Sequence, residues 1–284
     1  MSEHDRKSAA FVEAHRRPGI IVLPNAWDVG SAIIMAEAGF PAIATTSAGV
    51  AFAQGLPDGQ AMSREAMLEI AGRIAAAVPI PVTADLEAGY GKAPEDVAAT
   101  VKAAIAAGLA GCNIEDSTND PDHPLLDIGL ATDRIKAGAE AARASGHPFV
   151  LNARADPLLS RGGFDETKFA EAVKRANAYR SAGADCLFVP GPMDAGTIGR
   201  LVREIDGPLN VLGARGGQRS ELTVADLEKL GVKRISIGGS LSVAVLGFVR
   251  RAVAQIRDQG VFDYGDGALS NAEVNRIMKS YRSR

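Results

Sequence analysis

The chain has 284 residues, 46% hydrophobic and 23% charged, which supplies a sizeable packed core and excludes a disordered or collagen-like chain. Its 31 basic and 34 acidic residues leave a formal net charge of -3, without the basic surplus that neutralises a phosphate backbone, so nucleic acid is not expected as a partner. Met1 to Arg17 lacks the apolar stretch of about 7–15 residues of a secretory signal, and no segment reaches the roughly 18 apolar residues of a membrane span. A cytoplasmic protein without a membrane partner is the expectation.

In chain order, the first strand candidate is Ile20 to Leu23, which runs into the turn Pro24-Asn25-Ala26-Trp27-Asp28. Helix Gly30–Ala38 leads to a strand over Ala42 to Thr45, and helix Ser63–Ala77, with Ser63 as its cap, leads to Pro81 to Ala84. Helix Pro94–Ala107 precedes Gly111 to Ile114, Thr132–Ala144 precedes Phe149 to Ala153, and Asp165–Ala182 precedes Cys186 to Val189. Helix Asp194–Glu204 precedes Leu209 to Leu212, Thr223–Leu230 precedes Arg234 to Ile237, and Ser240–Gln259 closes the series. At Ala38-Gly39, Ala107-Gly108, Ala182-Gly183 and Leu230-Gly231 a glycine follows the helix, where it takes the left-handed position that turns the chain into the next strand.

These short apolar strands suit a parallel sheet covered on both faces. Eight alternations without a linker or composition break predict one closed (β/α)8 TIM barrel over residues 1–260. Residues 261–284 read as a C-terminal appendage, with a helix over Asn271 to Tyr281 that packs on a neighbouring subunit. An open doubly wound sheet is the alternative, but its Gly-rich turn after the first strand is missing. Cys112 and Cys186 sit in apolar runs and read as buried core thiols.

In such a barrel the active face lies at the strand C-termini. The third strand ends Ala84-Asp85-Leu86-Glu87, and residues two apart share a face, so Asp85 and Glu87 point together. The fourth brings Glu115 to similar height, and carboxylates sharing one mouth repel unless a cation or proton sits between them. An all-oxygen set suits magnesium, which typically keeps several waters, and only 4 His argue against zinc. Arg154, ending the fifth strand, can fork onto a substrate carboxylate, or instead form a structural bridge to Asp156 or Glu115. The small residues of Thr45-Thr46-Ser47-Ala48-Gly49 would let backbone NH groups approach an anion, and Asp58 is either a turn residue or an outer carboxylate.

Pro24-Asn25-Ala26-Trp27-Asp28, Leu56-Pro57-Asp58, Asp85-Leu86-Glu87-Ala88-Gly89-Tyr90-Gly91, Ile114-Glu115-Asp116 and Asn152-Ala153-Arg154-Ala155-Asp156 together resemble the isocitrate lyase and phosphoenolpyruvate mutase superfamily. The resemblance spans most of the barrel. It implies a Mg2+-dependent barrel, with Mn2+ as a substitute, that cleaves or forms C–C or P–C bonds beside a 2-keto or 2-hydroxy acid through an enolate-like species. Asp85 would be the direct metal ligand, with Asp58, Glu87 and Glu115 acting largely through water. Arg154 would bind substrate and stabilise charge, Trp27, Thr46, Ser47 and Ala48 would line the pocket, and Asn210 would lie on the seventh-strand side. A homotetramer with the eighth helix exchanged between subunits is also implied.

Two departures shape the expected activity. Glu87 stands where the family commonly has aspartate. The loop 117–127 lacks the Lys-Lys/Arg-Cys-Gly motif whose cysteine is the general acid of the lyases, and it lacks the lysine of the mutase loop. Its His123 is the titratable group with an ordinary pKa near neutrality and is the candidate replacement acid. The leading expectation is a C–C lyase of small carboxylates. The alternatives are a phosphonate mutase or hydrolase, for which the Gly-rich segments Gly213-Ala214-Arg215-Gly216-Gly217 and Ile237-Gly238-Gly239-Ser240 are phosphate-site candidates, and a non-catalytic barrel that binds metal and carboxylate.

Overall fold

The computed structural model describes residues 2–159, 164–192, 194–214 and 221–282. Helix α1 (Glu3–Arg16) precedes β1 (Ile21–Leu23), β2 (Asn25–Ala26), α2 (Val29–Glu37), β3 (Ile43–Thr45), α3 (Ser47–Ala53), α4 (Arg64–Ala77) and β4 (Val82–Asp85). Next come α5 (Pro94–Ala106), β5 (Gly111–Glu115), α6 (Ile128–Ser145), β6 (Val150–Arg154), α7 (Glu166–Ser181) and β7 (Cys186–Phe188). The remainder is α8 (Ala195–Glu204), β8 (Leu209–Leu212), α9 (Val224–Lys229), β9 (Arg234–Ser236), α10 (Ser240–Gln259) and α11 (Asn271–Arg282).

All the pairings are parallel, in the order β1-β9-β8-β7-β6-β5-β4-β3-β2. β1 and β2 are two halves of one strand interrupted at Pro24, so the first half pairs with β9, the second with β3, and the ring closes as a (β/α)8 barrel. Proline has no N–H to give a ladder, but the Pro24 carbonyl still accepts from Ala44 N at 2.9 Å. Asn25 stitches the seam: its Nδ2 donates to Thr45 O at 2.7 Å, and its Oδ1 accepts from Ile237 N at 2.9 Å and Gly238 N at 3.1 Å.

Apolar side chains fill two regions. The larger lies between strands and helices, with Ile43, Val82, Ile114, Leu151, Leu187 and Val211 pointing outward. The smaller lies inside the barrel, where Ile21, Leu23, Ala42, Ala44, Val150 and Cys186 surround Phe11. Phe11 arrives on α1, which the polar sequence of Met1 to Arg17 conceals. Its start is fixed by a capping box between Ser2 and Asp5, and its one deeply buried aromatic closes the barrel floor.

One helix boundary shifts, and two other segments take a defined local structure. Thr46-Ser47-Ala48-Gly49 is a helix start, with Thr46 capping α3 and the Ser47 N–H left outside the helical ladder to donate to the Asp85 carboxylate. A Cβ on Gly49 would stand 2.6 Å from Thr46 Cγ2 and 2.9 Å from Trp27 Cβ. α6 begins at Ile128, four residues before the expected Thr132, because Asp127 caps it through Gly129 N and Leu130 N. α11 packs on α2 of its own chain and buries Ile277. Cys112 and Cys186 are buried free thiols, as expected. Residues 215–217 of the seventh-strand glycine segment lie outside the described residues.

Candidate active site

Residues on or just past the barrel strands line a cavity of about 240 Å³ at the C-terminal mouth. Asn25, Thr46, Asp85 and Asn113 come from one half of the ring, Arg154, Phe188, Leu212 and Ser236 from the other. Ser47, Ala48 and Asp58 also line it. Strand alternation accounts for most of the set, since inner-face residues near each strand's C-terminal end point to the axis; on β5 it is Asn113 and not the terminal Glu115 that lines the cavity.

Asp85 is held rigidly. Its Oδ2 accepts from Ser47 N at 3.1 Å and Ser47 Oγ at 2.7 Å, and its Oδ1 accepts from Asn113 Nδ2 at 2.7 Å. Its own N–H donates to Thr45 Oγ1 at 3.0 Å. Asn113 stands directly across the ladder from Asp85, so β4 and β5 fix this contact by register.

Glu87 follows in a left-handed turn with φ 49°. It accepts from Gln60 N and from Tyr90 OH, the latter at 3.3 Å. Burial, reinforced by the neighbouring Asp85 charge, pushes its pKa up to about 7. Burial and Asp85 likewise raise Asp58. The α6 residue Arg134 holds this turn by donating to the carbonyls of Ala88 and Gly91.

Arg154 forks onto Asp156 through Nε at 2.6 Å and Nη2 at 2.7 Å, while its Nη1 meets Glu115 Oε2 at 2.5 Å. Both alternatives for a structural bridge are therefore present at once, and the same side chain still lines the cavity. Even so, burial keeps Glu115 well above the usual carboxylate range and pushes Asp156 up to about 6. The site holds more carboxylates than its one guanidinium balances.

Asp156 is itself anchored. Its N–H donates to Asp116 Oδ1 at 3.0 Å, and Asp116 Oδ2 accepts from Tyr179 OH at 2.5 Å and Arg175 Nη1 at 3.1 Å. Arg175 Nη1 also reaches Leu126 O at 2.9 Å, which ties α7 to the end of the 117–127 loop. Tyr179→Phe should lower stability by about 1.5–3 kcal/mol, the loss of one buried bond to a carboxylate, read as a lower urea midpoint.

Other predicted site residues stand apart. Trp27 is half-buried against the core beside Gly49, and its backbone N–H donates to Ser31 Oγ at 3.1 Å. Asn210 is fully buried beneath the floor and donates to Ser236 Oγ at 3.1 Å. His123 is exposed on the outer side of its loop, 3.5 Å from Asp120, and faces a neighbouring hollow with Gln60 and Arg134. The loop itself is folded back by a Ser117–Leu125 bridge and a Thr118 N–Pro124 O bond of 3.0 Å. Asn25, Asn113 and Ser236, not singled out from sequence, share the alternation that marks Asp85 and Arg154.

Among the described residues no three His, Cys, Asp or Glu side chains converge closely enough to ligate one ion. The surplus carboxylates nonetheless fit a hard cation that takes Asp85 directly and fills its shell with water. Cation binding should be pH-dependent. With its folded pKa above the ordinary value, Glu87 costs the ligand-free fold stability as pH rises from about 4.5 through about 7. A divalent cation offsets that cost, so the melting shift caused by magnesium should be larger at pH 8 than at pH 5.5 in scanning calorimetry.

Residues 11–257 match the phosphoenolpyruvate phosphomutase family. The uncharacterized protein Rv1998c of Mycobacterium tuberculosis (strain ATCC 25618 / H37Rv) is 38% identical over 229 residues, 81% of each chain. A Burkholderia cenocepacia J2315 structure, provisionally described as a lyase/mutase, superposes with a TM-score of 0.92 at 42% identity over 98% of both chains. The structure of 2,3-dimethylmalate lyase, a member of the PEP mutase/isocitrate lyase superfamily, gives a TM-score of 0.84 at 26% identity over 98% of this chain and 96% of that one.

Proposed function

Because the chain belongs to the phosphoenolpyruvate phosphomutase family of the isocitrate lyase superfamily, we propose that it is a magnesium-dependent lyase cleaving a C–C bond of a small 2-keto or 2-hydroxy carboxylate. The single observation that carries this reading is the convergence of Asp85, Asn113, Arg154 and Ser47 on one cavity.

A bound Mg2+, or Mn2+ in its place, would supply Lewis-acid stabilisation of the substrate oxygen. Asp85 would hold it, with Asp58, Glu87 and Glu115 bonded to its waters. The Ser47 hydroxyl, which now donates to Asp85, is a free rotor that can turn to the substrate carboxylate beside Thr46 and Ala48. Arg154, locked by Asp156 and Glu115, presents a preorganised positive charge where the enolate-like oxygen develops. Asn210 steadies the floor through Ser236, and Trp27 backs the Thr46 turn. For His123 to act as the acid, the 117–127 loop would swing its outer face inward over the mouth.

The family's own description favours one second reading, a phosphonate mutase or hydrolase. A panel of methylisocitrate-like, malate-like and oxaloacetate-like acids, run beside phosphonopyruvate with and without magnesium, separates them. Magnesium-dependent pyruvate or glyoxylate release supports the lyase. Phosphate release from phosphonopyruvate alone overturns it in favour of the second reading, and binding without turnover on either panel leaves a non-catalytic barrel.

In this reading residues 1–260 form the catalytic barrel and 261–284 its appendage, in a cytoplasmic homotetramer. Among the described residues no helix is long and apolar enough to cross a membrane. Yet α10 exposes Leu241, Val245, Leu246, Phe248, Val249 and Val253, a face that suits exchange of this eighth helix between subunits. Light scattering should give a tetramer, and Phe248→Glu should dissociate it; a monomeric wild type would contradict the exchange.

A further inference from the structure

The cavity floor rests on a second ring of side chains, two residues back along each strand, and part of that ring is polar. Thr83, Asn152 and Arg234 stand below Asp85, Arg154 and Ser236, face the same interior, and are fully buried. Arg234 Nε and Nη1, Thr83 Oγ1 and both amide atoms of Asn152 have no hydrogen-bond partner among the described residues.

No carboxylate among the described residues lies at ion-pair distance from Arg234. The Phe11 ring sits 5.9 Å from its guanidinium carbon. The groups around it are neutral: burial pushes the Cys186 thiol up to about 11 and raises Cys112 further, and burial with the Arg234 charge pushes His15 down to about 3. Burial lowers Arg234 itself only to about 10, so it remains a cation at neutral pH. An unpaired buried cation is strongly unfavourable unless something balances it. Asp85 is the carboxylate whose field Arg234 feels. Above it, Asp85, Asp58, Glu115 and Asp156 share the guanidinium of Arg154, and Glu87 adds a further carboxyl beside Asp85.

We propose that Arg234 is a positioning residue of this site, a fixed cation under the floor that balances the acidic cluster and strengthens the pull on a substrate carboxylate. The inference rests on the metal and carboxylate reading of the cavity. A positive charge in that place acts with opposite sign on the two ligands: it weakens divalent-cation binding and favours the anion. A residue that merely fills space would move neither affinity in this opposed manner.

Calorimetric titration of magnesium, and of oxalate in the presence of magnesium, tests it on wild type, Arg234→Met, Arg234→Lys and Asn152→Asp. Arg234→Met should bind magnesium about three- to tenfold more tightly and oxalate about three- to tenfold more weakly, and Arg234→Lys should stay within about twofold of wild type. Asn152→Asp, which places the missing carboxylate in the same ring, should shift both affinities the same way as Arg234→Met and carries the test if that variant does not fold. Unchanged affinities, or shifts of the same sign, in a folded variant overturn the proposal. No magnesium binding by the wild type overturns the metal reading and this inference together.

Discussion

Asp85→Ala is expected to reduce turnover by about a thousandfold or more, the scale of losing the metal's anchor and the charge stabilisation it brings. The loss should come without unfolding. Asp85 accepts from Ser47, Asn113 and the Glu87 N–H, but it also raises Glu87 and Asp58, so its removal relieves repulsion while it orphans those donors. Glu87 should then titrate closer to the ordinary glutamate value. Circular dichroism would show a native spectrum beside a lost magnesium-dependent rate, and a variant with full activity would reject the site.

Arg154→Ala should act on both stability and rate. Glu115 and Asp156 lose their common partner in a buried setting, and breaking such a pair costs about 3–5 kcal/mol. Both carboxyls already have raised pKa values, so in the variant they take protons more readily and the penalty grows as pH rises through the range where they would ionise. Urea unfolding should therefore show a larger deficit at pH 8 than at pH 5. Arg154→Lys should keep a charge yet lose the two-point grip on Asp156, leaving a folded protein with a strongly reduced rate. An Arg154→Ala protein as stable as wild type at pH 8 would mean that the Glu115 contact is not closed in solution.

The barrel was legible because its signals are local: glycine past four of the helices, short apolar strands, and capping residues at several helix starts. Period-two alternation then carried Asp85 and Arg154 to one mouth. The same rule reaches Asn113, Asn25 and Ser236, but neutral polar residues at strand ends carry no charge signature. What hid α1 was its polar surface, since a single aromatic, Phe11, does the closing of the floor. Pro24 splits the first strand through its missing N–H, yet proline is equally at home in a turn, so the second half read as loop. α11 seats Ile277 against α2, a tertiary contact within the chain that amphipathic spacing alone does not address. His123 is the weakest link, since its position depends on how the Ser117–Leu125 loop folds, and that loop closes on itself through its own hydroxyl and carbonyl groups.

Crystals soaked with Mn2+ and oxalate test the central claim most directly, through the anomalous signal of the metal. The expected result is one peak at coordination distance from an Asp85 carboxylate oxygen, with oxalate between it and Arg154. No peak in the cavity, or a peak that leaves Asp85 bonded only to Ser47 and Asn113, would contradict it.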